Sequence, residues 1–551
     1  MAMKYTEEQL NTVDKSLIIQ MFLAEQEQTE KLTKQVEELN VKLSEMDEKM
    51  QHLLEQVILS NKARFGRSSE KMEDSNQLCF KEVDGNIVFF NEAEATADPN
   101  EPEPDTLETA HRRGKKKVGK KEQDLKGLPV NRIDHYMSVE ELTAEFGANG
   151  WKQLPDAISV RYTFTPAKIE VEEHHVGVYS DKKDDSHILK AKHPKTLLRG
   201  SLVSPSLGAA LMNAKYVNAT PLARMEREME RYGLSISRKN MANWMIRLGE
   251  DYIGILYDYL HELLYDYHVI QADETPVLVN RDGRPAGSKS YMWVYRSGFM
   301  QKERQIVLYE FQKTRNASHP REFLKDFKGV CVTDGYQVYH TLEDELQDLT
   351  IAGCWVHCRR RFSDAQEIIP EKARKGTLSY LVMKQIQAIY REEGKLEGNT
   401  AEERLAQRQV VIKPLVDALF VYLKQHEHEV PKSGKLRDAF TYALNQEKYL
   451  RVFLSDGDVP IDNNASERAI RGFCIGKKNW EVIDTINGAK TSAMIYSIAE
   501  TAKANNLKPF EYFQYILEEI PEHTEDTNRD FLKDLLPWSA NLPEHIRKPQ
   551  K

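Results

Sequence analysis

The amino-acid sequence predicts a multidomain α+β protein, and three observations support that prediction. The chain has 551 residues, enough for roughly three to five domains. Apolar residues repeat with heptad spacing near the N-terminus, whereas β-rich stretches occur near residues 130–190 and again from about residue 268. Helical patterns separate and follow these stretches. Because hydrophobic residues make up 40% of the chain, a wholly disordered protein, a collagen-like protein and a small disulfide scaffold are excluded.

Residues 30–58 carry a narrow apolar seam that predicts a coiled coil. The seam consists of Leu32, Val36, Leu39, Leu43, Met46, Met50, Leu53 and Val57. Alternating steps of four and three residues are the a and d pattern of a coiled coil, here sustained for almost four heptads. The alternative is an amphipathic helix packed on its own protein, but so narrow a seam suits a second helix better. We therefore predict that the chain forms a homo-oligomer through this segment.

Charge is distributed unevenly. The formal net charge is −9, but segment 72–110 alone carries −10, so the other 512 residues sum to +1. The last part of this segment contains prolines and is typical of a solvated linker. A basic cluster follows directly, and it comprises Arg112, Arg113, Lys115, Lys116, Lys117, Lys120 and Lys121. Such a cluster attracts a polyanion such as DNA; the alternative is a soluble tail that the acidic stretch partly neutralises.

Several absences bear on location. No apolar run approaches the roughly 18 residues that a membrane span needs. The N-terminal sequence MAMKYTEEQL has no apolar signal core. The five cysteines are few and odd in number, which argues against a disulfide framework. We therefore predict a cytoplasmic protein that does not associate with membranes.

Residues 205–255 show a succession of helices that is compatible with a helix-turn-helix. SPSLGAALMNAKYV and LARMEREMERYG each predict a helix, and a third begins after Ser235 or Ser237, either of which suits an N-cap. Arg238, Lys239 and Asn240 then fall in the first turn of the third helix, where they could reach phosphates or base edges. An ordinary helical hairpin explains the same pattern equally well.

The region from residue 268 predicts an αβ core with carboxylates at strand ends. HVIQADETPVLVN, SYMWVYRSGF and RQIVLYEFQ indicate three strands, ASHPREFLKDF a helix, and GVCVTDGYQVY a fourth strand. This order suggests an RNase H-like core, in which the first and fourth strands are neighbours, so that Asp273 and Asp334 would meet. Glu467, in the capped helix DNNASERAIRGF, is a third candidate. Three converging carboxylates suit hard divalent cations such as Mg²⁺, and a pair of these ions can cleave phosphodiesters.

Eight motifs, in family order across residues 64–515, resemble the transposases of the insertion sequence 66 family, a group of bacterial DDE transposases. They are RFGRSSEK (64–71), ADETPV (272–277), TDGYQVY (333–339), CWVHCRRRF (354–362), AEERLAQRQ (401–409), YALNQEKYLRVFLSDGDVPIDNNASERAIR (442–471), IGKKNW (475–480) and IYSIAETAKANNLKPFEYF (495–513). The resemblance implies that Asp273, Asp334 and Glu467 are the catalytic ligands of two Mg²⁺ (or Mn²⁺) ions. It also implies a helical insertion in the RNase H-like catalytic core. Asp334 and Glu467 are 133 positions apart, and residues 372–450 have an almost wholly helical pattern, in agreement with that insertion.

The chain departs from the family at residues 130–198, which lack the cysteines of the family's zinc-binding module. Cys354, His357 and Cys358 have a spacing compatible with metal binding on a helix, but no fourth ligand is evident. We therefore predict no zinc. His357 is a candidate active-site residue that would orient a phosphate or water; a structural histidine is the alternative.

The DNA-binding residues that we predict lie in four groups. They are Arg112, Arg113, Lys115, Lys116 and Lys117; Arg238, Lys239 and Asn240; Arg359 and Arg360, with Arg361 beside them; and Arg468, Arg471, Lys477 and Lys478, followed by Asn479. Arginine and lysine bind DNA backbone readily, although any single one is also compatible with a solvated surface charge. Glu274 is not predicted as a ligand, because successive side chains of a strand face opposite ways. Trp293 and Trp480 are predicted to be packing residues.

These observations divide the chain into eight predicted segments. They are a coiled-coil segment (1–71), an acidic then basic linker (72–129), a small β-containing module (130–198), a helical DNA-binding region (199–262), the first part of the core (263–371), a helical insertion (372–455), the second part of the core with Glu467 (456–520) and a C-terminal tail (521–551).

The leading functional hypothesis is a transposase that binds the terminal inverted repeats of an insertion sequence, cleaves them with Mg²⁺ and joins them to target DNA. Accessory proteins encoded by the same element are candidate partners. One alternative is a domesticated or inactive DNA-binding oligomer. Another is an RNase H-like nuclease that cuts DNA and never joins it.

Overall fold

A computed structural model describes residues 195–285 and 287–549, together with residues 31, 34, 80–83, 86–89, 132, 135–147, 167–180 and 188–192. The prediction of a coiled coil over residues 30–58 lies almost wholly outside the described residues, as do the basic cluster 112–121 and most of the linker. His187 and His193 also lie outside them.

Helices make up most of the described chain. The α-helices are α1 (Val139–Phe146), α2 (Pro205–Met212), α3 (Leu222–Arg231), α4 (Arg238–Leu248), α5 (Gly254–Leu264), α6 (Ser318–Phe323), α7 (Gln337–Glu345), α8 (Trp355–Glu367), α9 (Leu378–Gly394), α10 (Ala401–Gln407), α11 (Lys413–His426), α12 (Lys435–Asn445), α13 (Glu447–Leu450), α14 (Asn464–Trp480), α15 (Ile486–Ala504), α16 (Pro509–Glu522) and α17 (Leu532–Leu535). Single π turns at Asn213–Val217, Gly249–Ile253 and Arg408–Ile412 continue α2, α4 and α10, and short 3₁₀ turns lie at Glu371–Ala373, Glu427–Glu429, Val452–Leu454 and Glu544–Ile546.

Ten strands in the described ranges form three sheets. The strands are β1 (Phe80–Val83), β2 (Asn86–Phe89), β3 (Val178–Ser180), β4 (Ile188–Lys190), β5 (Val269–Arg281), β6 (Lys289–Ser297), β7 (Val307–Gln312), β8 (Gly329–Thr333), β9 (Leu349–Gly353) and β10 (Val482–Thr485). β1 pairs with β2 and β3 with β4, each antiparallel. The β-rich pattern of residues 168–179 predicts more strand than is found, because residues 167–177 belong to no strand.

The large sheet has the strand order β7-β6-β5-β8-β9. β5, β6 and β7 pair antiparallel, whereas β8 and β9 run parallel to β5. The three consecutive strands, the helix and the fourth strand predicted from the sequence are therefore present. A fifth strand (β9) and a sixth (β10) were not predicted, because their patterns are short.

One edge of β5 has a gap between two partners. β8 pairs with residues 269–271 and β10 pairs with residues 278–281, so residues 272–277 have no strand partner on that side. Helix α14 lies across the gap, and two side chains hydrogen-bond to free carbonyls of β5 there. Nδ2 of Asn463, the N-cap of α14, donates to the Ala272 carbonyl at 2.7 Å, and Lys477 Nζ donates to the Pro276 carbonyl. The prediction that the first strand ends at Asp273 is wrong, since β5 continues along β6 to Leu278 and beyond.

Helix α15 covers the outer edge of β7, the strand at one end of the large sheet. The Thr501 hydroxyl accepts from the Val307 N–H at 3.0 Å and donates to the Val307 carbonyl, and the Ser497 hydroxyl accepts from the Tyr309 N–H at 2.7 Å. These hydroxyl groups replace the hydrogen bonds that a further strand would make, so β7 is not left as an open edge. The main core lies where α2–α5, α15 and α16 pack on the sheet, and Trp293 is completely buried in it.

A second core lies among α8–α13. The prediction that residues 372–450 are almost wholly helical is confirmed. Arg408 and Glu393 form an ion pair inside this core, and Arg408 Nη1 donates to the carbonyls of Phe453 (2.8 Å) and Asp456 (2.7 Å). Arg408 belongs to the predicted helical insertion (residues 372–455), called the helical segment below. The helical segment therefore holds the loop that leads from α13 towards α14. No helix in the described part of the chain is long and apolar enough to cross a membrane.

Candidate functional site

The candidate site forms around the gap in β5, where three acids from distant parts of the chain approach one another. Asp273 lies in the gap itself, Asp334 directly follows β8, and Glu467 lies in the first turn of α14. Because β5 and β8 are neighbours and α14 crosses the gap, the fold brings the three acids to one region of the sheet.

The electrostatics of Asp273 reflect this crowding. Its pKa is raised well above the usual range, first by burial, then by the negative charges of Glu274 and Asp334, with a smaller contribution from Glu467. A hydrogen bond from the Glu274 N–H to Asp273 Oδ1 (2.8 Å) opposes the shift only partly. Three carboxylates that share a poorly hydrated region repel one another, and a nearby cation would relieve that repulsion.

Asp334 is held by the start of the next helix and by an arginine. Its Oδ1 accepts a hydrogen bond from the Tyr336 N–H at 2.9 Å, and its Oδ2 lies 4.0 Å from Arg315 Nη2. The Arg315 guanidinium also stacks on the Tyr336 ring, 3.7 Å from the ring centroid. These contacts fix the direction of the Asp334 side chain.

Glu274 is buried on the same strand and has partners of its own. Its side chain is 2% exposed, accepts hydrogen bonds from Arg315 Nε (2.7 Å) and the Tyr339 hydroxyl (3.1 Å), and pairs with Arg315 Nη2. Burial and the charge of Asp334 raise its pKa to about 7, although Arg315 acts in the opposite direction. Arg315 thus bridges Glu274 and Asp334, and no sequence motif marks this arginine.

Helix α8 begins beside Glu467 and brings His357 with it. The Cys354 N–H donates to the Thr333 carbonyl at 3.0 Å, and the Trp355 N–H donates to the Ile461 carbonyl at 3.1 Å. The first turn of α8 therefore lies between the end of β8 and the loop before α14. His357 Nε2 lies 3.8 Å from Glu467 Oε1, and Arg360 Nη2 donates to Glu467 Oε2 at 3.4 Å.

Burial lowers the pKa of His357, although the charges of Asp334 and Glu467 favour its protonation. Within the described part of the chain, one group of three possible ligands places all its ligand atoms within 4.8 Å of one another, and it consists of Cys354, His357 and Glu467. The three acids do not form such a group.

The predicted basic residues of α8 and α14 lie on the two helices that carry His357 and Glu467. Arg359, Arg360 and Arg361 are exposed on α8, and Arg361 lies 4.3 Å from the Tyr442 ring centroid. On α14, Arg468, Arg471 and Lys478 are exposed, whereas Lys477 bonds the Pro276 carbonyl. Asn479 donates to the Ala219 carbonyl at 2.9 Å, and Trp480 packs partly buried against the core, as predicted.

A polar cleft of about 610 Å³ opens next to Asp334. Gly335 and Arg361 line it on one side, and Tyr442, Asn445 and Tyr449 from the helical segment line it on the other. The helical segment therefore supplies one wall of the space beside the acids.

Helix α4, the predicted DNA-binding helix, begins after one of the two serines proposed as its N-cap. Ser237, not Ser235, is its N-cap: the Ser237 hydroxyl accepts from the Asn240 N–H at 3.2 Å. Arg238, Lys239 and Asn240 are exposed in the first turn, while the other face of the helix buries methionines in the core. Arg112, Arg113, Lys115, Lys116 and Lys117 lie outside the described residues.

The histidines of the small module do not form a site with each other in the described part. His174 and His175 are exposed, and their Nε2 atoms lie 3.5 and 3.4 Å from carboxylate oxygens of Glu172 and Glu173, respectively. Such contacts between exposed neighbours are common on protein surfaces.

The fold and the site together define a mixed α/β protein with an acidic centre in its sheet and basic residues around it. The sequence model of the "Transposase IS66 family" matches residues 200–491, that of the "IS66 C-terminal element" matches residues 497–538, and that of "Transposase C of IS166 homeodomain" matches residues 52–133. The chain therefore belongs to the IS66 family of transposases, as its motifs predict.

Relatives occur in Sinorhizobium fredii (strain NBRC 101917 / NGR234). The uncharacterized protein y4qI is 28% identical over 390 residues, which cover 69% of this chain and 70% of y4qI. The uncharacterized protein y4jD is 25% identical over 422 residues, 75% of this chain and 81% of y4jD. The uncharacterized protein y4hP is 24% identical over 349 residues, 61% of this chain and 62% of y4hP.

Proposed function

We propose that this chain is a DDE transposase that binds the terminal inverted repeats of an insertion sequence and catalyses Mg²⁺-dependent strand cleavage and strand transfer. Asp273, Asp334 and Glu467 are the proposed catalytic residues and metal ligands. The observation that most supports this proposal is the electrostatic coupling of Asp273 to the two acids that lie 61 and 194 positions further along the chain.

The topology of the large sheet supports an RNase H-like core. β5, the first strand of the core, pairs with β8, the fourth, over residues 269–271, so Asp273, two positions further along β5, lies near Asp334, which directly follows β8. The helical segment between Asp334 and Glu467 is inserted between β9 and α14, in agreement with an interrupted core.

The donor set fits hard divalent cations, Mg²⁺ or Mn²⁺. All three groups offer carboxylate oxygens, and Glu467 Oε1 is buried without a hydrogen-bond donor. Two such ions, when bound, would activate the attacking oxygen and stabilise the leaving oxygen of a phosphodiester. Burial and, after it, repulsion from neighbouring carboxylates raise the pKa of Asp273, and bound cations would replace that repulsion with attraction.

Residues of the chain itself would position the DNA. In this proposal, Arg360, which already bonds Glu467, and its neighbours Arg359 and Arg361 contact phosphates near the scissile bond. His357 lies beside Glu467 and would orient a phosphate or water. Further DNA-binding residues in this proposal are Arg468, Arg471, Lys477 and Lys478 near the acids, and Arg112, Arg113, Lys115, Lys116, Lys117, Arg238, Lys239 and Asn240 on the transposon ends.

A homo-oligomer formed through residues 30–58 would hold two transposon ends in one complex. The match of residues 52–133 to a family sequence model overlaps the end of this segment and includes the basic cluster. Accessory proteins encoded by the same element remain candidate partners in this scheme.

The test is cleavage of DNA that carries the element's terminal inverted repeats, with the full-length chain and Mg²⁺. Asp273→Asn, Asp334→Asn and Glu467→Gln each remove one negative charge at nearly constant volume and should lower cleavage by several orders of magnitude. Asp348→Asn is a matched control, since Asp348 pairs with Lys328 on the surface and should leave cleavage unchanged.

The outcomes separate the alternatives. Full cleavage by all three variants would refute the assignment of the acids. DNA binding without any cleavage by the wild type would favour an inactive DNA-binding oligomer. Cleavage without joining, measured by transfer of a labelled 3′ end into a plasmid, would favour a nuclease.

A further inference from the structure

Cys354, His357 and Glu467 form a cluster that joins a thiol and an imidazole to a carboxylate of the proposed catalytic set. The sequence places Cys354 and His357 three positions apart on a helix, with Cys358 as the next candidate. In the structure Cys358 instead packs into the core of the helical segment, and Glu467 approaches from α14. The fold therefore replaces Cys358, the third candidate in the sequence, with Glu467.

Two of the three groups have buried polar atoms without partners. His357 Nδ1 and Glu467 Oε1 are buried, and neither makes a hydrogen bond. His357 Nε2 and Glu467 Oε1 are 3.8 Å apart, which is too long for a hydrogen bond. Because Arg360 bonds the other carboxylate oxygen, Oε1 remains directed at the cluster. Unsatisfied buried polar atoms are costly, so an additional group at this position would stabilise the site.

We propose that Cys354, His357 and Glu467 bind one zinc-type divalent cation. Thiolate and imidazole ligands select zinc or cobalt, whereas Mg²⁺ prefers oxygen alone. Ligand atoms within 4.8 Å of one another need only a small contraction to reach zinc-ligand distances of about 2.0–2.3 Å. Three protein ligands leave the fourth tetrahedral position for water.

Binding requires the Cys354 thiol to lose its proton to solvent, after which the sulfur donates an electron pair to the metal. Burial raises the pKa of the Cys354 thiol to about 12, and the hydrogen bond that it accepts from the Asn463 N–H at 3.2 Å offsets this shift only partly, so the metal itself has to drive the loss of the proton. Cys354 itself is completely buried, so the ion would enter from the side of His357 and Glu467, whose side chains are 25% and 21% exposed.

The shared carboxylate makes this site regulatory. Glu467 cannot serve the zinc-type ion and the catalytic cations with the same geometry, so zinc would inhibit Mg²⁺-dependent cleavage. This consequence rests on the proposed transposase function, whereas metal binding by the cluster does not.

The binding test is a Co²⁺ titration of the full-length, metal-free protein, which reports the thiolate-to-cobalt charge-transfer band in the near ultraviolet. We expect a band in the wild type that Cys354→Ser removes. Serine preserves the acceptor for the Asn463 N–H and suits the N-cap position of α8, so this variant should fold. Cys358→Ser, one turn along the same helix, is the matched control and should retain the band.

Glu467→Gln provides a second test, because loss of the carboxylate should weaken Co²⁺ binding more than about tenfold. Equal bands in the wild type and Cys354→Ser, or no band in the wild type, would overturn the proposal. In the cleavage assay, added zinc should inhibit the wild type and Cys358→Ser, and Cys354→Ser should resist it relative to its own zinc-free rate. If no cleavage occurs with any protein but the cobalt band appears, the metal site stands and the transposase proposal fails.

Discussion

The buried pair between Arg408 and Glu393 offers a sharp test of how the helical segment is stabilised. The Arg408 side chain is 0% exposed and that of Glu393 is 8% exposed. Arg408 Nε donates to Glu393 Oε2 at 3.0 Å, and Arg408 Nη1 donates to the carbonyls of Phe453 and Asp456. We predict that Arg408→Met strongly destabilises the protein, because it leaves a buried carboxylate and two buried carbonyls without their donor.

The expected loss of stability follows mainly from the carboxylate that is left unpaired. Removing one partner of a buried ion pair costs about 3–5 kcal/mol, since the remaining charge stays buried. For a cooperative unit of 150–250 residues, this free energy corresponds to a fall in Tm of roughly 6–20 °C. The double variant Arg408→Met/Glu393→Met should recover the part of the loss that comes from the unpaired carboxylate, because it removes that charge, while the carbonyls of Phe453 and Asp456 still lack their donor.

The assay is thermal unfolding monitored by circular dichroism and by tryptophan fluorescence, since Trp355 lies in the same core. Lys413→Met is the surface control: Lys413 pairs with Asp417 but is 48% exposed, and its loss should cost less than about 0.5 kcal/mol. A Tm for Arg408→Met within 2 °C of that for Lys413→Met (roughly 1 kcal/mol or less), or a double variant no more stable than Arg408→Met, would refute this reasoning.

Three further predictions concern other parts of the chain. Burial raises the pKa of Glu310 to about 7 from an ordinary 4.5, so the native state binds the proton more tightly and stability falls as the pH rises from 4.5 to 7. Glu310→Gln should therefore gain up to about 3 kcal/mol over the wild type across that window in urea unfolding, and a constant difference would contradict it. Gly329→Ala should lower the Tm strongly, because Gly329 has φ +144° and a Cβ there would lie 2.2 Å from the His268 carbonyl oxygen; Gly394→Ala, in an open helical position, is its control. Removal of residues 1–60 should reduce the molar mass measured by light scattering to that of a smaller oligomer, and an unchanged oligomeric state would exclude the coiled coil.

Local patterns in the sequence were sufficient for much of the fold. Helix starts follow from capping residues, as at Ser204 and Ser237, whose hydroxyls each accept a hydrogen bond from the backbone N–H three residues further along. The strands β5–β8 and the helical segment follow from apolar periodicity, which local sequence encodes directly. The family resemblance supplied the acids, because motif order along the chain needs no coordinates.

The arrangement around Glu467 was decided only by tertiary structure. The gap in β5 exists because β8 and β10 pair with different ends of one strand edge, and no local pattern specifies where such pairings stop. Glu467, and not Cys358, completes the cluster with His357 because α14 lies beside α8 in the fold. The two helices are separated by more than a hundred residues of sequence between Cys358 and Glu467. Periodicity reports which side of an element is apolar, whereas the partners of a polar side chain are set by long-range packing that appears only in the folded chain.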